Sequence, residues 1–321
     1  MVYRKKLFLL SGLVGILAVV YLLTLFFDPE RVNTRSAAFL WLEPKLQDQA
    51  DGIEIAKPGE WDNPVKLLRR GDDWYAVIGE GEYPAKNTRV EDLLRILCSR
   101  GAYPVRGSAA SSHERLGLAE NDAARIVVRG GAGLPLLDLL IGGRDAAGQE
   151  VYLRKNGQNE VRSGEDKLSA YITGIDTSWY NLRLFPGSQD AALVQRLTVR
   201  PLPSEDGGVP EPFVITRNGG GWSIAGLDDE SVDSQKVDTY VRNILDAECE
   251  NFIPGLSAAN AGFNDGRIVL ELGNGASLSI SVGPPLPENK RGATASGSSY
   301  AYTLAEWTLT RLFREPAYFV K

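Results

Sequence analysis

The chain is poor in the residues that carry most enzymatic and metal chemistry. It has one histidine, His113, two cysteines, Cys98 and Cys249, and one methionine, the initiator. A nucleophile–histidine pair would have to recruit His113, which stands in a polar loop from Ser108 to Glu114, where a solvated ring is the simpler expectation. Neither a Gly-x-Ser-x-Gly elbow nor a Ser-x-x-Lys is present. Metal sites need clustered His, Cys or carboxylates at ligand spacing. The acidic loop residues Glu80, Glu82 and Asp228-Asp229-Glu230 read more simply as solvated turns. Gly130-Gly131-Ala132-Gly133 is glycine-rich but joins two strand-like segments, so it lacks the helix start that cradles phosphate. No residue is therefore assigned as catalytic, cofactor-binding or metal-ligating, no cofactor is expected, and the chain reads as a non-enzyme.

Charge is absent from one stretch. Leu7 to Phe27 runs 21 residues without an ionisable group except Tyr21, behind Arg4, Lys5 and Lys6 and ahead of Asp28-Pro29. As a helix rising about 1.5 Å per residue it would span roughly 31 Å, the thickness of a bilayer core. A cleaved signal peptide has a shorter apolar core of about 7–15 residues and a small-residue cleavage site. Here the core is longer and Asp28-Pro29-Glu30-Arg31 follows it. The segment reads as an uncleaved anchor in the lipid bilayer, with its basic flank in the cytoplasm and the bulk of the chain periplasmic, tethered to the inner membrane by a single span.

Basic residues are also scarce beyond that stretch. Residues 1 to 27 hold three basic and no acidic side chains, which leaves 32 basic against 41 acidic in the remainder. This argues against nucleic acid or an anionic lipid surface as the main partner, because both demand clustered Lys and Arg. In an oxidising compartment Cys98 and Cys249 either pair or stay as buried free thiols, and the second reading is favoured. Each falls late in an expected amphipathic helix.

What is present is a pattern that occurs twice. Ile53–Ala56, Val65–Arg69 and Trp74–Val77 read as three short strands, with a turn at Gly71-Asp72-Asp73. A loop around Tyr83-Pro84 leads to Thr88, an expected cap for a helix carrying Val90, Leu93, Leu94 and Leu97. Leu116-Gly117-Leu118, a strand at Arg125–Val128, another at Leu134–Ile141, then Val151–Leu153 and a helix over about Lys167–Thr173 complete this half. The pattern then restarts. Val65–Val77 and Phe213–Ala225 match without a gap at an offset of 148. A helix from Ser234 through Val237, Val241, Ile244 and Leu245 answers the first helix, Ala261-Gly262-Phe263 answers Leu116-Gly117-Leu118, and Arg267-Ile268-Val269 answers Arg125-Ile126-Val127. Ala276–Gly283 answers Leu134–Gly143, Tyr300 or Tyr302 answers Tyr152, and Trp307–Phe313 answers Trp179–Phe185. Ser296–Ser299 reads as a mobile small-residue loop.

Two copies of one unit follow from this order. The fold class is α+β: an N-terminal transmembrane helix and then two similar, mainly antiparallel sheet-plus-helix repeats. The expected divisions are 1–28 for the basic stub and anchor, 29–186 for the first repeat and 187–321 for the second. Trp74 and Trp222, each just past a hairpin turn, read as core anchors between sheet and helix.

These motifs resemble the domain-of-unknown-function 4340 family. The residues that carry the resemblance are Gly71 to Trp74, Leu116-Gly117-Leu118, Leu140-Ile141-Gly142, Val151-Tyr152 and Arg183-Leu184-Phe185, with Gly219 to Trp222, Gly262 and Arg311-Leu312-Phe313 in the second copy. The resemblance covers most of residues 39 to 321. It implies one N-terminal span, a repeated ectodomain, and an association with ABC transporter operons and with the auxiliary protein of gliding-motility-type ABC transporters. It carries no catalytic residues over. The expected function is thus a single-pass, extracytoplasmic accessory or interaction protein whose partners are ABC transporter subunits. The alternative is a tethered ligand-binding module that presents a solute or envelope polymer to a transporter.

Overall fold

The computed structural model describes residues 38–321 except 121, 175, 188–189, 205–206, 209 and 229–230, together with Leu17 and Tyr21. The expected Leu7–Phe27 span and its basic flank therefore lie outside the described residues, save for those two helical positions, both exposed. Among the described residues no helix is long and apolar enough to cross a membrane.

The chain forms mainly antiparallel sheets with a few helices. Its first half runs β1 (Ala38–Phe39), β2 (Ala50–Ala56), β3 (Val65–Arg70), β4 (Asp73–Ile78), β5 (Gly81–Pro84), α1 (Asn87–Leu97), β6 (Gly101–Ala102), β7 (Val105–Gly107), β8 (Ala124–Gly130), β9 (Pro135–Arg144), β10 (Glu150–Lys155), β11 (Val161–Glu165) and α2 (Ser169–Ile172). The second half runs β12 (Val194–Arg200), β13 (Phe213–Asn218), β14 (Gly221–Ile224), α3 (Ser234–Leu245), β15 (Asn251–Ser257), α4 (Ala258–Ala261), β16 (Gly266–Leu272), β17 (Ser277–Leu286), β18 (Lys290–Ala295), β19 (Tyr300–Leu304) and α5 (Glu306–Leu312).

Two compact units result. One takes the described residues up to Arg69 with Thr88–Gly174, the other Arg70–Asn87 with Ile175–Lys321. In the first, the strand order is β3-β2-β8-β9-β10-β11-β7; in the second it is β13-β12-β16-β17-β18-β19-β15, with β14 outside β13. The two orders agree strand for strand. The hairpin β4–β5 groups with the second unit. There Tyr83 lies 4.8 Å from Phe252 and 5.3 Å from Tyr300 between ring centroids, and its hydroxyl accepts the Gly255 N–H at 3.0 Å.

The helices form where the apolar spacing requires. Val90, Leu93, Leu94 and Leu97 are the buried residues of α1, and Val237, Tyr240, Val241, Ile244 and Leu245 those of α3. The α3 cap is Asp233, whose carboxylate accepts the N–H groups of Gln235 and Lys236. Thr88 lies inside α1 rather than capping it, because the helix opens at Asn87. Asn87 Oδ1 accepts the Trp74 N–H at 2.8 Å, and Ser234 Oγ accepts that of Trp222 at 3.2 Å. Trp74 and Trp222 are buried, and the Trp222 indole donates to Asp238 of α3 at 2.9 Å.

The motif glycines are backbone requirements. Gly71, Gly117, Gly219 and Gly262 all have φ between 52° and 67°. A Cβ on Gly142 would lie 2.5 Å from the Leu116 carbonyl oxygen, and one on Gly283 would lie 2.3 Å from the Phe263 ring.

Several expectations need correction. Residues around Tyr83-Pro84 form strand β5, and β11, β15 and β18 have no counterpart in the sequence reading. Their Gly, Pro and charged residues break the alternation that marks a strand. Both cysteines follow the ends of their helices and are free thiols, Cys249 buried and Cys98 partly so. Ser296–Ser299 is a pinned turn: Ser296 and Ser279 exchange hydrogen bonds at 2.8 Å, and Ser298 Oγ meets the Tyr302 hydroxyl at 2.7 Å. The match of Trp179–Phe185 to Trp307–Phe313 does not hold in space. The 3-10 turns Asp176–Trp179 and Pro316–Phe319 each precede a bridge to the segment ahead of the main helix, Ala85↔Tyr180 and Val232↔Val320. Buried Trp179 thus corresponds to buried Phe319, whereas Trp307 is 60% exposed. Arg183-Leu184-Phe185 lies beyond its bridge, while Arg311-Leu312-Phe313 closes a helix, so like letters serve unlike backbones.

Candidate binding groove

The second unit carries its concave surface around α5. The buried residues Leu309 and Leu312 hold this helix down, and Tyr240 of α3 donates its hydroxyl proton to the Leu312 carbonyl. Tyr240 is fully buried beside Phe319, ring centroids 5.0 Å apart, and desolvation raises its pKa, so it stays a neutral donor.

On one side of α5 opens a groove of about 840 Å³. Leu202, Leu286, Leu309 and Phe313 supply apolar surface, and Pro201, Pro210, Pro285 and Pro316 stiffen the backbone around it. Leu202 and Phe313 pack over Gly266, where an added Cβ would meet them at 2.6 and 3.0 Å. The charged lining is mostly neutralised. Arg291 donates to Asp265 at 3.2 Å and to the Gly283 carbonyl at 3.1 Å. Lys290 lies 2.6 Å from Glu288 and 3.1 Å from Glu250. Those bonds raise the lysine pKa, and the bond from Lys290 lowers that of Glu288. Arg314 stacks on Tyr318, 4.7 Å from its ring centroid. Glu288 and Asn289 have φ of 63° and 55°, the non-glycine positive values among the described residues. Asn289 lines the groove and donates to Glu306 at 3.2 Å. Left-handed backbone at a side-chain-bearing residue is strained and concentrates at functional sites.

On the other side of α5 a smaller cavity of about 150 Å³ is bounded by Trp307, Arg311, Asn243, Asp246 and Glu248. Arg311 donates to Asn243 at 2.7 Å and sits 5.7 Å from the exposed Trp307 ring. An exposed Trp beside an Arg combines the two residue types most enriched at the energetic centres of interfaces.

The residues weighed from sequence fall elsewhere. His113 Nε2 contacts the Asn159 carbonyl at 3.1 Å. Glu82 accepts a two-pronged bond from Arg70, which lowers its pKa. Asp229 and Glu230 lie outside the described residues. Among the described residues no group of three His, Cys, Asp or Glu gathers to hold a metal ion. Gly130–Gly133 is a turn between β8 and β9. The groove leaves no pattern in the sequence because Leu202, Leu286 and Phe313 come from three distant segments.

The fold and site define an α+β protein of two antiparallel sheet units, the second with a concave, aromatic and charged surface. The sequence profile of Domain of unknown function (DUF4340) matches residues 74–266, more than half of the chain, and the chain belongs to this family. A comparison with curated proteins gives no match.

Proposed function

We propose that this chain is a membrane-tethered, non-catalytic accessory protein that engages a protein partner on the extracytoplasmic side of the inner membrane. The observation that carries the reading is α5, a short helix with a groove on one side and an exposed Trp–Arg pair on the other. The charge-free Leu7–Phe27 stretch supports the tether, and the family's association with gliding-motility-type ABC transporters supports transporter subunits as the partner. We infer also that the halves are two copies of one unit, supported by their like strand orders and like-placed motif glycines.

Cross-linking of the full-length protein in its membrane, with mass spectrometry of what is captured, tests this against a version carrying an unrelated span. Transporter subunits recovered with both versions support contact through the ectodomain. Recovery with the native span alone moves the contact into the bilayer and contradicts it. The volume of the groove favours a second reading, a tethered ligand-binding module. A solute or glycan retained by the ectodomain, with no protein partner, would replace the first reading by the second.

A further inference from the structure

Arg200 and Arg267 stand directly opposite each other on β12 and β16. Directly opposed residues of antiparallel strands share a face, with Cβ atoms about 5 Å apart, and like charges placed so destabilise the sheet. Neither arginine has a carboxylate among the described residues. Arg200 donates to the carbonyl and the side-chain oxygen of Asn264, and its Nε is buried without a hydrogen-bond partner among the described residues. Arg267 is exposed. Asp265, two residues away, is engaged by Arg291.

The first unit shows what a neutralised version looks like. There Arg125 holds the place of Arg267 and faces Ala56 instead of a second arginine. It donates to Asp138 at 2.8 and 2.7 Å and lies 4.9 Å from the Trp61 ring centroid. Asp138 is paired with Val127, and the register puts Ser279, paired with Val269, in the same place of the second unit. The second unit thus replaces the counter-ion by a hydroxyl and adds a cation. The row continues through Ser281, opposite Arg267, to Thr294, opposite Ser281.

We propose that the row Arg200–Arg267–Ser281–Thr294 is a binding site for a phosphate group, free or carried by a phosphomonoester headgroup. Guanidinium forks match phosphate oxygens in pairs, and hydroxyls donate one bond each. A phosphate carrying nearly two negative charges matches two arginines better than a single carboxylate does. The repulsion between two opposed arginines that face no carboxylate among the described residues is relieved when the anion binds. This inference does not rest on the accessory reading.

The test is calorimetric titration of the full-length protein in detergent with inorganic phosphate and, separately, with glycerol phosphate. Saturable binding is expected, weakened about tenfold or more by Arg267→Ser and by Arg200→Ala, as for loss of a charge-assisted bond. Arg267→Lys should weaken it less, and Arg196→Ala, which removes a cation of β12 that faces Glu271 of β16, should leave it unchanged. Phosphate should raise the melting temperature of the unmodified protein and not that of Arg267→Ser, whose own melting temperature should not fall. Tighter binding of glycerol phosphate assigns the site to a headgroup, and tighter binding of inorganic phosphate assigns it to the free ion. No saturable binding of either probe, or unchanged affinity in Arg267→Ser, overturns the proposal.

Discussion

Gly142→Ala and Gly283→Ala occupy matching places in the two units, yet they should respond to rescue to different extents. A Cβ on Gly142 would come within 2.5 Å of the Leu116 carbonyl oxygen, 3.0 Å of the Gly117 carbonyl oxygen and 2.8 Å of Leu118 Cγ. Two of these three atoms are backbone. The Leu116 carbonyl also accepts the Gly143 N–H at 2.9 Å, and Gly117 is fixed at φ 67°, so the loop cannot retreat without losing that bond. Overpacking a filled core costs about 1–3 kcal/mol, and a backbone clash belongs at the upper end. The three atoms nearest to a Cβ on Gly283 all belong to the Phe263 ring, at 2.3 to 2.8 Å. Truncating that ring removes the clash. Denaturant unfolding of the full-length protein should therefore show Gly142→Ala losing about 2–3 kcal/mol, most of it retained when Leu118→Ala is added, because the two carbonyl contacts remain. The pair Gly283→Ala with Phe263→Ala should lose less than the sum of the singles, by about 1 kcal/mol or more. Equal rescue at both sites, or a loss below about 0.5 kcal/mol for Gly142→Ala, would refute the reasoning that backbone approach sets the glycine at position 142.

Three further outcomes are expected. Asp233→Ala removes the side-chain cap of α3 and should cost about 1 kcal/mol, read as a lowered denaturation midpoint with unchanged slope. Burial pushes the Cys249 thiol well above its ordinary pKa, so a maleimide at neutral pH should leave it unlabelled in the native protein and label it after denaturation. Burial opposes ionisation of Asp138, but the bonds from Arg125 and Asn156 outweigh it and its pKa is lowered. That contribution is present above the unfolded carboxyl value of about 3.9 and lost as pH falls through the lower folded value. Asp138→Asn should therefore flatten the acid limb of the stability–pH profile below about pH 4; an unchanged limb would count against the pairing.

Helices α1 and α3 and the central strands were legible because their signals are local. Val90, Leu93, Leu94 and Leu97 recur at helical spacing and are the residues α1 buries. Val65–Val77 and Phe213–Ala225 align because both segments need a glycine at positive φ before a buried Trp. Strand β5 was not legible, since Gly81 and Pro84 bound it and its Tyr83 is buried by a distant partner, Phe252. Trp179 and Trp307 share sequence neighbours but not surroundings, which only chain pairing decides. The groove was invisible for the same reason: its apolar residues are gathered by the pairing and packing of distant segments, not by spacing.

The central claim is that α5 is the docking element, and Trp307 tests it most directly. Trp307→Ala in the full-length protein should leave stability nearly unchanged, because the side chain is exposed. It should cut the transporter subunits captured by cross-linking at least tenfold, as expected for an interface centre worth about 2 kcal/mol or more. The control is Leu134→Ala, an equally exposed apolar residue of the first unit, which should leave capture intact. Equal recovery from Trp307→Ala and the unmodified protein would contradict the account.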